Sequence, residues 1–198
     1  VSRRLAYQIG ETVHLAALGV WAGALFGAGL TAAVTFPTMR DLDPTLGAYP
    51  DYTGEHWMLA AGQVASRVFL GTDIVQFVCA FLTIVGFTIA VIAGAKRRSW
   101  LLFFRAAGTG IAFLLVSYHL LLLMPPMQND LRAYWDAAKA GDTATAEVHR
   151  QAFSDRHGEA SRSIGSTAVV TLVTLGLGLW SVSGMAYGEK PVRDGTPS

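Results

Sequence analysis

Imidazole nitrogens and thioether sulfurs are the coordinating groups this sequence offers in number. The histidines are His14, His56, His119, His149 and His157, and Met39, Met58, Met124 and Met127 are among its methionines. Imidazole suits copper, zinc and iron, whereas thioether selects Cu(I). A cluster of His119, His157, His149, His56, Met124 and Met127 would therefore point to copper. His149 and His157 share a helix face but stand about 12 Å apart along it, so one ion cannot bridge them on an unbroken helix. A metal site has to combine one of them with His119, His56 or a methionine from another segment. The alternative is that these groups are structural: hydrogen-bonding histidines, and methionines filling gaps in an apolar corner.

Haem is the other use of membrane histidines. His14 and His119 differ by roughly 20 Å in depth if each lies on a spanning helix of 1.5 Å rise, which disfavours a haem held between them. His14 also follows Glu11 by three residues, a spacing that allows a pair on a helix surface. The single cysteine, Cys79, excludes an internal disulfide and a cysteine-based zinc site. No serine–histidine–acid set, paired carboxylates or glycine-rich phosphate loop can be recognised by spacing. The sequence makes no case for an enzyme.

The elements that must carry these groups are membrane helices. The chain is 52% hydrophobic and 15% charged, against about 25% charged in an average soluble domain. A net charge of +1 argues against a nucleic-acid partner, which selects a strongly basic surface. About 20 mostly apolar residues cross a bilayer, and four runs qualify: 13–36, closed by Pro37; 74–95, closed by Lys96, Arg97 and Arg98; 106–124, closed by Pro125 and Pro126; and 164–187, followed by Glu189 and Lys190. Backbone in lipid must satisfy its own hydrogen bonds, so these runs are helices. The first apolar run is too long for a cleavable signal peptide.

The connections between them are more than loops. Leu131, Tyr134, Trp135 and Ala138 recur at helical spacing before Gly141, a stop signal. Segments 55–73 and 127–163 read as helices that lead into or out of the spans. The expected fold is all-α: one domain over 1–198, a four-helix membrane bundle with amphipathic helices on the extracytoplasmic side. Arg3, Arg4, the 96–98 turn, Arg105, Lys190 and Arg193 concentrate positive charge on one side. The positive-inside rule then puts both termini in the cytoplasm, and Val1, read as a GTG start codon, points to a bacterial gene and so to an inner membrane. Trp57, Trp100 and Trp135 fall where indole rings anchor at an interface.

Two features concern packing. Gly19, Gly23 and Gly27 form a small-xxx-small stripe, which lets helix backbones approach closely, either within the chain or against a second copy. Asp73 borders the second span with Gln76 one turn inward. It reads equally as a solvated helix shoulder or as a proton or ion ligand.

Three stretches carry a family resemblance: "VHLAALGVWAGALF" with "FPTMRDL" at its exit, "LLMPPMQNDLRAYWDAA", and "HRQAFSDRHGEAS" ahead of the last span. In this order the chain resembles the transmembrane-protein-205-like family, small four-helix membrane proteins of unassigned function. The family tends to carry a serine three residues and an asparagine seven residues after the histidine matched by His157, whereas this chain has Ala160 and Ile164, with Ser161 one place late. The first stretch alone also resembles the opening helix of copper-resistance D-type proteins and of haem-dependent protoporphyrinogen oxidases. Those likenesses would imply copper import or a haem oxidase, and no second inner-leaflet histidine supports the latter. The function expected from the whole is a non-enzymatic multi-pass protein in contact with lipid, an accessory or assembly subunit. It would act as a homo-oligomer or within a larger complex through the glycine stripe. Copper handling by the His/Met cluster is the alternative, and a b-type haem protein is a second one.

Overall fold

The computed structural model describes residues 2–94 and 100–186. The Lys96–Arg97–Arg98 turn, Tyr187, Glu189, Lys190 and Arg193 lie outside the described residues. Among the described residues five α-helices follow in order: α1 (Arg3–Leu42), α2 (His56–Ala93), α3 (Trp100–Tyr118), α4 (Met124–Lys139) and α5 (Thr143–Ala186). A single π-helical turn, His119–Leu123, joins α3 to α4. Four helical columns result, each long and apolar enough to cross a membrane. α1 packs on α2, while α3 and α4 pack on α5; α1 also meets α5.

Helices outrun the apolar segments at both ends. α1 begins at Arg3, where the Ser2 hydroxyl accepts the Leu5 N–H at 3.2 Å. It does not stop at Pro37, which lies inside the helix. It ends at Asp43, whose φ of 41° is left-handed and whose N–H bonds the Met39 carbonyl. α2 and α5 run unbroken from the connecting segments into the spans, as their composition predicts.

Pro125 and Pro126 do not end the third column either. A proline in an α-helix lacks one N–H and collides with the carbonyl four residues back. Here the helix widens just before the prolines. The Met124 N–H reaches the His119 carbonyl, five residues back. That wider turn absorbs the two prolines at the start of α4, and π turns of this kind recur at functional sites.

The glycine stripe does not pack inside the chain. Gly19 and Gly23 are exposed and Gly27 is half-buried, and a Cβ on any of the three would meet nothing within 4 Å. Close approach of α1 and α2 falls instead to Gly10 and Gly86. A Cβ on Gly10 would lie 2.6 Å from the Ala90 nitrogen, and one on Gly86 would lie 2.6 Å from the His14 nitrogen.

At the far end, residues 43–55, α4 and the start of α5 form a cap. Its core is Tyr49, Tyr52, Leu59, Leu131, Tyr134, Ala138 and Ala146. His56 pins the loop, accepting the Leu46 N–H on Nδ1 at 3.0 Å and donating from Nε2 to the Tyr52 carbonyl at 2.9 Å. Gly141, at φ 75°, makes the turn between α4 and α5 as expected. Asp142 then caps α5, its carboxylate accepting the Thr145 N–H at 3.0 Å. That backbone bond holds the Asp142 carboxyl below its ordinary range. A depressed carboxylate stabilises above its ordinary pKa and loses that contribution as pH falls through the folded value. Exchange of the amides of residues 143–146 is therefore expected to speed up as pH drops below the carboxylate range, after correction for intrinsic rates. Asp142→Ala should show the fast exchange at neutral pH, and Asp142→Asn, which still caps, should not.

Candidate functional site

One cavity of about 860 Å³ lies between the α1–α2 and α4–α5 hairpins, beneath the cap. Its walls are largely apolar, with Phe36, Phe69, Leu131, Trp135 and Phe153 among them. Its volume falls within the range of sites that enclose a whole small molecule.

The floor is polar. Asp73 is 8% exposed and His119 2% exposed, and both line the cavity. The Trp21 indole donates to Gln76 Oε1 at 3.3 Å, and Gln76 Nε2 donates to Asp73 Oδ1 at 3.1 Å. His119 Nε2 stands 3.4 Å from the same oxygen, yet neither ring nitrogen has a hydrogen-bond partner within the chain. Two helices, α1 and α2, thus hold a carboxylate in a fixed place, and the π turn brings the His119 imidazole against it. Asp73 is a buried member of this network, which corrects the reading of a solvated shoulder.

A second polar layer lies nearer the chain's start. The Glu11 carboxylate takes two bonds from the Arg105 guanidinium, at 2.6 and 3.1 Å. The side chains are 7% and 2% exposed, and the guanidinium carbon sits 5.4 Å from the Phe87 ring centre. His14 is wholly buried beside it, with Nδ1 at 3.1 Å from the Thr83 carbonyl. Glu11 therefore pairs with Arg105 rather than with His14 on a helix surface, as their spacing would allow. Arg105 is an interior residue neutralised by Glu11, and the pair joins α1 to α3.

The remaining candidates divide. Met58, Met124 and Met127 line the cavity with His119, and His157 lies exposed on its rim. His149 is elsewhere, 3.7 Å from Asp130, a carboxylate that also pairs with Arg156. His56 has both nitrogens engaged in the cap loop. Among the described residues, no group of three or more His, Cys, Asp or Glu side chains is close enough to hold an ion. Cys79 is buried in an apolar cluster with Trp21 and Ala112.

Comparison with protein-family models, curated proteins and solved structures finds no match for this chain. The site is therefore read on its geometry.

Sequence reasoning found Asp73, Gln76 and His119 singly but not as a unit. It missed the pairing of Glu11 with Arg105 and the buried loop tyrosines, Tyr49 and Tyr52. Glu11 lies just before the 13–36 run, and its spacing from His14 was the one signal for it in the sequence.

Proposed function

We propose that this is a non-enzymatic multi-pass membrane protein that holds a membrane-soluble, mostly apolar molecule in the cavity beneath its cap. The cap faces the outside and both termini face the cytoplasm, on the charge distribution given above. The observation that carries the reading is the cavity itself: apolar walls, an 860 Å³ volume and a floor of buried polar groups. Ligand sites commonly combine those three features. Phe26 and Leu30 line the cavity and are also 75% and 55% exposed on the outer surface. A ligand dissolved in the bilayer would meet them first.

The test is to identify what leaves with the protein. Mass spectrometry of the gently purified chain is expected to find an apolar molecule near one per protein. Gly62 and Gly165 line the cavity, and a Cβ on either would enter open space. Gly62→Leu and Gly165→Leu should therefore fill the cavity and lower occupancy about tenfold or more, equivalent to about 1.4 kcal/mol, with no loss of thermal stability. Unchanged occupancy in both variants would reject the cavity as the binding place.

A second reading rests on Met58, Met124 and Met127 lining the same cavity as His119, a donor set suited to Cu(I). Elemental analysis of the same preparation decides it: near-stoichiometric copper that His119→Ala removes would favour metal handling. The accessory-subunit role is compatible with either. The outward stripe of Gly19 and Gly23 would then meet a helix of a second copy or of another protein.

A further inference from the structure

The chemistry of the floor narrows the ligand, given the cavity reading on which this step rests. We infer that the bound molecule is a long-chain amphiphile whose head is an uncharged hydroxyl, docked on His119 and Asp73, and that anionic lipids are excluded.

Two observations carry this. His119 is buried and lines the cavity, and neither ring nitrogen makes a hydrogen bond within the chain, with Nε2 facing Asp73 Oδ1 at 3.4 Å. A neutral imidazole presents one donor and one acceptor, and leaving them unpaired in an apolar interior is costly. A hydroxyl, itself both donor and acceptor, answers that need in a single group. The second observation is charge. Asp73 stands beside His119, its acceptor role set by the Gln76 amide, which Trp21 in turn orients. A carboxylate or phosphate head would bring a second negative charge against it in a low-dielectric site, where like charges repel strongly. The cation lining the cavity, Arg150, does not relieve this. It is bonded to Glu147 and sits about 15 Å toward the cap from Ala160 by helix rise. Ala160 packs with Leu123 and Met127 above the floor.

The experiment uses the full chain in nanodiscs of uncharged lipid, with hexadecanol, palmitate and hexadecane as probes of one chain length. Binding is read by competition against radiolabelled hexadecanol and by direct native mass spectrometry. Hexadecanol is expected to bind about tenfold or more tighter than palmitate, a gap of about 1.4 kcal/mol. Asp73→Asn keeps the shape and removes the charge. It should admit palmitate and shrink the difference to about threefold or less. His119→Phe should erase the advantage of hexadecanol over hexadecane.

Palmitate binding as tightly as hexadecanol, or an Asp73→Asn variant that still excludes it, would overturn the assignment. If hexadecane binds while alcohol and acid do not differ, only the head-group inference falls. If no probe binds and Gly62→Leu changes nothing, the cavity reading falls and this inference with it.

Discussion

Arg105→Ala is expected to remove about 3–5 kcal/mol of unfolding free energy, the loss seen when one partner of a buried ion pair is deleted. The side chains of Arg105 and Glu11 are 2% and 7% exposed and meet through two bonds at 2.6 and 3.1 Å. Deleting the guanidinium leaves a carboxylate in an apolar bundle with no water to solvate it. Phe87 loses its cation as well. Glu11→Ala should cost a similar amount for the mirror-image reason. A double variant, Glu11→Leu with Arg105→Met, removes both charges and keeps volume. It is expected to recover most of the stability, because the pair's attraction largely offsets its own desolvation. Reversible unfolding in mixed micelles measures all four proteins. Single variants that unfold like the wild type would mean that water reaches this pair.

The second large effect lies at Gly86, next to Phe87, the ring that faces Arg105. Gly86→Ala is expected to cost the upper part of the roughly 1–3 kcal/mol typical of overpacking, and Gly86→Leu more. The new Cβ would meet the His14 nitrogen at 2.6 Å and the Gly10 carbonyl oxygen at 2.8 Å. Both obstacles are backbone, so no rotamer change relieves the clash and α1 must move off α2. The His14–Thr83 bond, on the same stretch, should loosen with it. Gly23→Ala is the control. Its Cβ enters open space, and alanine gains about 0.5–1 kcal/mol over glycine inside a helix. Opposite shifts in melting temperature for Gly86→Ala and Gly23→Ala are the expected result. A Gly23→Ala variant as damaged as Gly86→Ala would show that the stripe packs after all. A variant that keeps its fold but loses an oligomer would locate the partner surface there.

These contrasts show how much of the molecule could be read before its structure. Hydropathy and length identify the four columns, and the absence of breakers from 143 to Gly158 foretells that α5 enters the membrane without a break. Proline rules failed at Pro37 and at Pro125–Pro126. They describe a regular α-helix, and a π turn at His119–Leu123 changes which carbonyls the rings must avoid. Small-residue spacing pointed to Gly19, Gly23 and Gly27, whereas contact was made by two isolated glycines on different helices. No periodicity links Gly10 to Gly86. The same holds for Glu11 and Arg105, 94 positions apart, and for Asp73 and His119: each residue type was conspicuous, and each pairing was a product of tertiary approach. Tyr134 shows in the helical spacing of α4, whereas its cap partners Tyr49 and Tyr52 lie in a loop, where burial leaves no periodic trace.

The absence of a break between cap and membrane has a mechanical consequence. α5 is 44 residues long, about 66 Å of helix at 1.5 Å per residue, roughly twice the hydrocarbon thickness of about 30 Å. α2, at 38 residues, is nearly as long. Cap and span are thus two ends of the same rod, and the cap cannot lift as a separate lid. At the end opposite the cap, the Gly10–Gly86 crossing locks α1 to α2, and the Glu11–Arg105 tie joins α1 to the third column. Phe26 and Leu30 line the cavity and are exposed on the outer surface of the bundle, so the cavity's mouth faces sideways into the lipid rather than outward into water.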